Sequence, residues 1–134
     1  MTALHYQSAT QLAGLIRRKK IGCLELLDHF LERIAQYNPK LNAIIWMDKD
    51  KARKRAKAAD SALKKGKRFG ALHGVPMTIK ESYQVDGSPT TWGAPALKHN
   101  VSSATSRSAA ERASGPTTEM SGAATESIVA AWPR

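Results

Sequence analysis

Large apolar side chains thin out three quarters of the way along this chain. Between Ser103 and Arg134 the only ones are Met120, Ile128, Val129 and Trp132, and 22 of these 32 residues are Ser, Ala, Thr, Gly or Pro. A segment so poor in core formers can hardly repay its own ordering entropy. A folded core must therefore come from residues 1–101, and residues 102–134 are expected to be a separate low-complexity tail, disordered or weakly helical around Ser108 to Ala113. With 134 residues in all, one small domain is the ceiling.

Within the first 101 residues the apolar pattern is mainly helical. Ser8 is a good N-cap with Gln11 placed to complete a capping box, and Leu12, Leu15 and Ile16 form a stripe that runs into the basic cluster Arg17 to Lys20. After Gly22, Leu24, Leu27, Leu31 and Ile34 recur at spacings of three, four and three, widened by Leu26 and Phe30, which predicts a helix from about Cys23 to Tyr37. Asn38-Pro39 should end it, because proline disfavours helical geometry in the residue before it. Leu41 to Met47, with two isoleucines and a tryptophan, reads as a short buried strand. From Asp50 to Lys65 the composition is helical again, with Ala52, Ala56, Ala59 and Leu63 on one face and Gly66 following as a terminator.

That last helix carries an unusual charge. Ten of the twenty residues from Lys49 to Arg68 are Lys or Arg and two are acidic, so about +8 of the chain's net +10 is concentrated there. A solvated outer helix surface explains this better than a nucleic-acid face does. Base-stacking aromatics and known nucleic-acid-binding signatures are missing, so no specific nucleic acid is expected and any such binding would be nonspecific and salt-sensitive. No apolar run approaches a bilayer's thickness and no secretory leader pattern opens the chain, so a soluble, cytoplasmic protein without a membrane partner is expected. Asn100-Val-Ser102 matches the glycosylation pattern only by coincidence on that reading.

Next comes Leu72-His-Gly-Val-Pro-Met-Thr-Ile-Lys80-Glu-Ser-Tyr-Gln-Val-Asp-Gly87-Ser-Pro-Thr-Thr-Trp-Gly93. Its glycines permit turns, Val75 to Ile79 is β-prone, and Lys80 stands at the strand's end, where catalytic side chains are often placed. Most lysines in that position are merely solvated. One held in a dry site, however, loses its proton near neutral pH and can act as a base toward a serine hydroxyl. Ser82 would point the same way if the strand continued, yet such neighbours are common and it reads as structural.

Other candidates are weaker. Ser61-Ala-Leu-Lys64 matches the Ser-x-x-Lys pattern of penicillin-recognising enzymes, but its companion motifs are absent and a chance match is expected among 21 basic residues. His5, His29, His73 and His99 are scattered, so no metal is expected, and no phosphate-binding glycine motif suggests a cofactor. Cys23, the single cysteine, lies near a helix N-terminus, where a thiol pKa can fall, but it reads better as a buried structural thiol.

Taken together, Leu72 to Glu81, Val85-Asp-Gly87 and Pro89-Thr-Thr-Trp-Gly93-Ala-Pro-Ala-Leu97 closely resemble the first block of the amidase signature family of serine hydrolases. Upstream, Ser8 to Leu12, Glu25 to Leu27, Arg33-Ile34, Asn38 to Ala43 and the alanine-rich helix are similar to the same family, and the resemblance covers about Tyr6 to Val101. It implies an α/β fold in which N-terminal helices precede the first strands of a mixed sheet, here incomplete. It also implies amide hydrolysis by a Ser, cis-Ser, Lys triad, with Lys80 as the general base acting on a small-molecule amide. The family's serines lie in a later Gly-Ser-rich signature. No such run occurs here, and Ser121-Gly122-Ala-Ala-Thr125 is too unlike it to take its place.

The expected product is therefore a truncated amidase fragment, inactive alone and marginally folded. Apolar faces on the second helix and the Leu41 segment would be left open to self-association or to another protein chain. A frameshift or deletion near Ser102 would account for the abrupt change in texture, and better than a deliberately short paralogue would. Sequencing the coding DNA past the Ser102 codon should then reveal a Gly-Gly-Ser-Ser signature in a neighbouring frame; its absence from all frames would remove the frameshift explanation.

Overall fold

The computed structural model describes residues 3–106 and the backbone of residues 128–130. After a short 3-10 turn (Leu4–Tyr6), α1 (Ala9–Arg17) starts at the expected cap: the Ser8 hydroxyl accepts the Gln11 N–H at 3.3 Å and the Gln11 carboxamide accepts the Ser8 N–H at 2.7 Å. Leu12 and Ile16 from this helix are buried. The chain turns back through Lys19, which adopts a left-handed conformation with φ 56°, and enters α2 (Cys23–Leu41).

Gly22 offers α2 no side chain to cap its first N–H groups. That function comes instead from α3 (Lys49–Lys64), whose Asp60 carboxylate accepts the N–H groups of Cys23 at 2.7 Å and Leu24 at 3.1 Å. The Glu25 carboxylate adds one bond, accepting the Gly22 N–H at 3.2 Å. Further along, the Arg53 guanidinium meets Asp28 at 2.9 Å. Since the end of α3 thus lies beside the start of α2, the two helices are antiparallel. Between them Leu26, Leu27, Leu31, Ala56 and Ala59 join Leu12, Ile16, Ile21 and Cys23 in one buried cluster, and the alanines let the helices approach closely. The apolar face of α2, expected to lie open to a partner, is therefore largely covered.

Two local expectations need correction. The second helix runs four residues past Tyr37, with Pro39 in its last turns. Proline there forfeits one late N–H bond, and the helix is closed instead by Asn42, left-handed at φ 47°, whose N–H reaches the Asn38 carbonyl at 2.7 Å. The segment after it forms no ladder. The Asn38 carboxamide donates to the Ile44 carbonyl and accepts the Ile44 N–H, both at 2.8 Å, so a side chain supplies the pairing that a neighbouring strand would. Ile44 and Met47 then pack on the helical cluster, Trp46 packs on a second one, and Leu41 and Ile45 stay exposed.

That second cluster centres on buried Ile79 and Val85. Ile79 belongs to β1 (Thr78–Lys80), shorter than expected, which pairs in parallel with β2 (Ile128–Ala130) in the register Thr78 to Ile128 and Lys80 to Ala130. Three residues assigned by composition to an unstructured tail thus take part in the sheet. The helix expected around Ser108 to Ala113 lies outside the described residues. Helices followed by a strand of a two-stranded parallel sheet are the α/β arrangement expected, and among the described residues no helix is long and apolar enough to cross a membrane.

Burial alone would raise the Asp60 pKa, but the N–H groups of Cys23 and Leu24, with the Cys23 thiol and the Lys64 charge, outweigh it and hold the pKa below its usual value. The ionised carboxylate is thus the form that stabilises the fold. Asp60→Ala should cost about 1–2 kcal/mol near neutral pH, as loss of a helix cap does. Because the folded pKa is depressed, this contribution is complete above the unfolded carboxyl pKa of about 3.9 and disappears as pH falls through the folded value. Urea denaturation of both proteins at pH 7 and pH 3 should show the gap closing in acid.

Candidate active site

The stretch from Leu72 to Gly93 is tied to the helices at its start. A Cβ built on Gly74 would fall 2.2 Å from the Cys23 sulfur, and φ there is 74°, so only glycine suits this close approach. His73, buried, accepts the Phe69 N–H on Nδ1 at 2.9 Å; its Nε2 must then carry the proton donated to the Ala59 carbonyl at 3.0 Å. Burial is the main cause of its lowered pKa, which keeps the ring neutral in this dual role. Val75 packs on the helical cluster, and the chain then enters β1.

At the end of β1, Ile79 points inward and Lys80 is exposed. β1 stops there: the Tyr83 N–H closes a turn on the Lys80 carbonyl at 2.9 Å, so Ser82 sits in the turn and not on a continuing strand face. The dry environment that activates a lysine is not built by the described residues.

A residue that the sequence reading passed over holds the next loop. Glu81 is 6% exposed, and its carboxylate accepts the N–H of Thr91 and, at 3.0 Å to each oxygen, that of Trp92. Trp92 is left-handed at φ 55° and Gly93 follows at φ 70°, so the carboxylate pins a turn that a non-glycine residue seldom adopts. An acid directly after a short β-prone run, nine residues before a polar Thr-Thr-Trp-Gly turn, was the available signal.

Residues 84–90 are flanked by residues 100–106. An antiparallel bridge joins Pro89 to Val101, and the Thr90 N–H reaches the Asn100 carbonyl at 3.0 Å, Ser102 N–H the Ser88 carbonyl at 3.0 Å, and Gly87 N–H the Ser102 carbonyl at 2.9 Å. Lys80, Glu81 and the Thr91–Gly93 turn are thereby gathered at one end of β1.

The remaining candidates stay apart. Ser61 and Lys64 are exposed on the last turns of α3. Cys23 is fully buried; burial first, then the Asp60 carboxylate beside it, pushes its thiol up to about 12, as befits a structural cysteine. His5 and His29 stack with centroids 5.7 Å apart, a pairing not visible in the sequence, and among the described residues no group of three potential metal ligands comes together.

Helices thus lead into a strand that ends on a lysine and is followed by a carboxylate-pinned turn. The amidase family model matches residues 25–112, and the chain belongs to the amidase family. The match continues past Val101, where the resemblance legible in the motifs ends. The chain is 34% identical to an acylamidase of Rhodococcus erythropolis over 73% of its own length and 20% of that enzyme. It is 40% identical to an indoleacetamide hydrolase of Bradyrhizobium diazoefficiens over 70% of its length and 18% of that protein. Among solved structures, a bacterial aryl acylamidase of the amidase signature family superposes with a TM-score of 0.74 at 26% identity, over 94% of this chain and 24% of that one. The chain thus spans about a fifth of the length of the curated relatives it matches.

Glu81→Ala should leave two backbone N–H groups without their acceptor and cost about 1–3 kcal/mol. Amide hydrogen exchange at Thr91 and Trp92 should accelerate while the α2 amides keep their protection.

Proposed function

We propose that this chain furnishes the N-terminal portion of an amidase that hydrolyses the C–N bond of a small-molecule amide, with Lys80 as its terminal base. The observation that carries this reading is the position of Lys80, at the end of β1 inside the family match and next to the turn pinned by Glu81. In the complete fold a neutral lysine accepts a proton, through a bridging serine, from the nucleophilic serine. That serine adds to the amide carbonyl, the C–N bond breaks as the amine leaves with a proton, and water releases the acid from the acyl-enzyme. Backbone N–H groups stabilise the oxyanion.

By themselves these 134 residues are proposed to be inactive. Lys80 is exposed at the end of β1, and the two serines of the triad have no counterpart in the sequence. The second reading, a fragment that pairs with another chain, draws on the exposed Leu41, Ile45, Trp92, Leu97 and Val101.

Purified chain incubated with simple acyl and aryl amides should give no turnover above buffer. Turnover abolished by Lys80→Ala would overturn the claim of inactivity. Grafting residues 1–101 in place of the matching fifth of an acylamidase should restore hydrolysis, and Lys80→Ala in the graft should reduce it by about 10²–10⁴-fold. An active graft indifferent to that substitution would remove Lys80 from the mechanism.

A further inference from the structure

The outward face of α3 is organised more sharply than its composition alone implies. Of the ten cations between Lys49 and Arg68, Arg53 is held by Asp28, and Arg55 lies over the Phe69 ring at 4.7 Å. Lys64 lies close enough to Asp60 to help lower that carboxyl's pKa. Lys54, Lys57 and Lys65 are exposed, and with Ser61 they follow one another at spacings of three, four and four. Such spacing forms a single stripe along a helix, opposite the face on which Ala56 and Ala59 are buried. At 1.5 Å per residue the stripe is about 16 Å long. Lys67 and Arg68, also exposed, follow in the chain just past the helix end and bring the cations to five, and Asp50, one turn before Lys54, is the acid at the stripe's other end.

We infer that this stripe is a sequence-nonspecific docking surface for the phosphate backbone of nucleic acid. Measured along the duplex axis, at about 3.4 Å per phosphate of one strand, its length corresponds to about five phosphates. Ala58 and Ser61 lie between the lysines, with no aromatic, Asn or Gln to read a base, so contacts are limited to backbone charge. A folded acidic protein fits less well, because such an interface needs an apolar centre to exclude water and the stripe provides none. The inference does not depend on the amidase chemistry.

Fluorescence anisotropy of a labelled 20-base-pair duplex with the full chain tests it. Binding should be saturable at 50 mM NaCl, indifferent to base sequence, and about twenty-fold weaker at 100 mM, the slope expected when five cations release counterions. The triple variant K54E/K57E/K65E should lose at least ten-fold in affinity. A control with the same charge change at exposed positions elsewhere, R17E/K20E/K40E, should lose less than three-fold, helix content being matched by circular dichroism. Should the triple variant lose helix, Lys54→Gln, Lys57→Gln and Lys65→Gln should each reduce the salt slope by about one. Equal losses in the two triple variants, unchanged slopes in the single ones, or no saturable binding at 50 mM would overturn the inference. Displacement of the duplex by polyglutamate at matching charge concentration would overturn it in favour of an acidic protein.

Discussion

The Asp60 carboxylate at the start of α2 is the contact on which the rest of the arrangement depends. Helix N-termini carry unpaired N–H groups and a partial positive charge, and α2 begins at a glycine that has nothing of its own to offer them. By reaching across from α3, Asp60 caps one helix and fixes the antiparallel register of two. That register places Ala56 and Ala59 against Leu26 and Leu27 and leaves Cys23 facing Gly74. Through Gly74 and His73 the helical pair then fixes where β1 begins. A charge on a helix otherwise rich in lysine thus sets the path of the chain toward Lys80.

The helices were legible because each carries its own periodicity. The Ser8–Gln11 box, the leucine ladder from Leu24 and the alanine face of α3 are local patterns, and local physics is what a sequence displays. What stayed hidden was tertiary. Nothing near Gly22 announces that its cap lies in α3, and Leu41 to Met47 has the composition of a strand although Asn38 occupies the backbone of Ile44. Pro39 is a strong helix breaker by propensity, yet in the last turns the loss of one N–H bond was outweighed by the Asn42 closure.

The site was legible in a different way. Lys80 has no local property that separates it from other exposed lysines, and it was singled out by the order of motifs around it. Glu81 was missed although it stands next in the chain, because its function depends on Thr91 and Trp92 folding back onto it. The tail's composition pointed away from regular structure, and Ile128–Ala130 nevertheless aligns with β1. Those residues include the tail's isoleucine and valine, Ile128 and Val129, so the strand falls where apolar β-branched side chains adjoin.

The irregular segment that follows α2 also determines how the molecule comes apart. Ile44 and Met47 are lodged in the helical cluster and Trp46 in the cluster around Ile79 and Val85, only a residue or two away. Neither cluster can loosen without pulling on the other. The small strand region is therefore expected to share the cooperativity of the helical pair, the two unfolding as one unit where their sizes alone would have made them two.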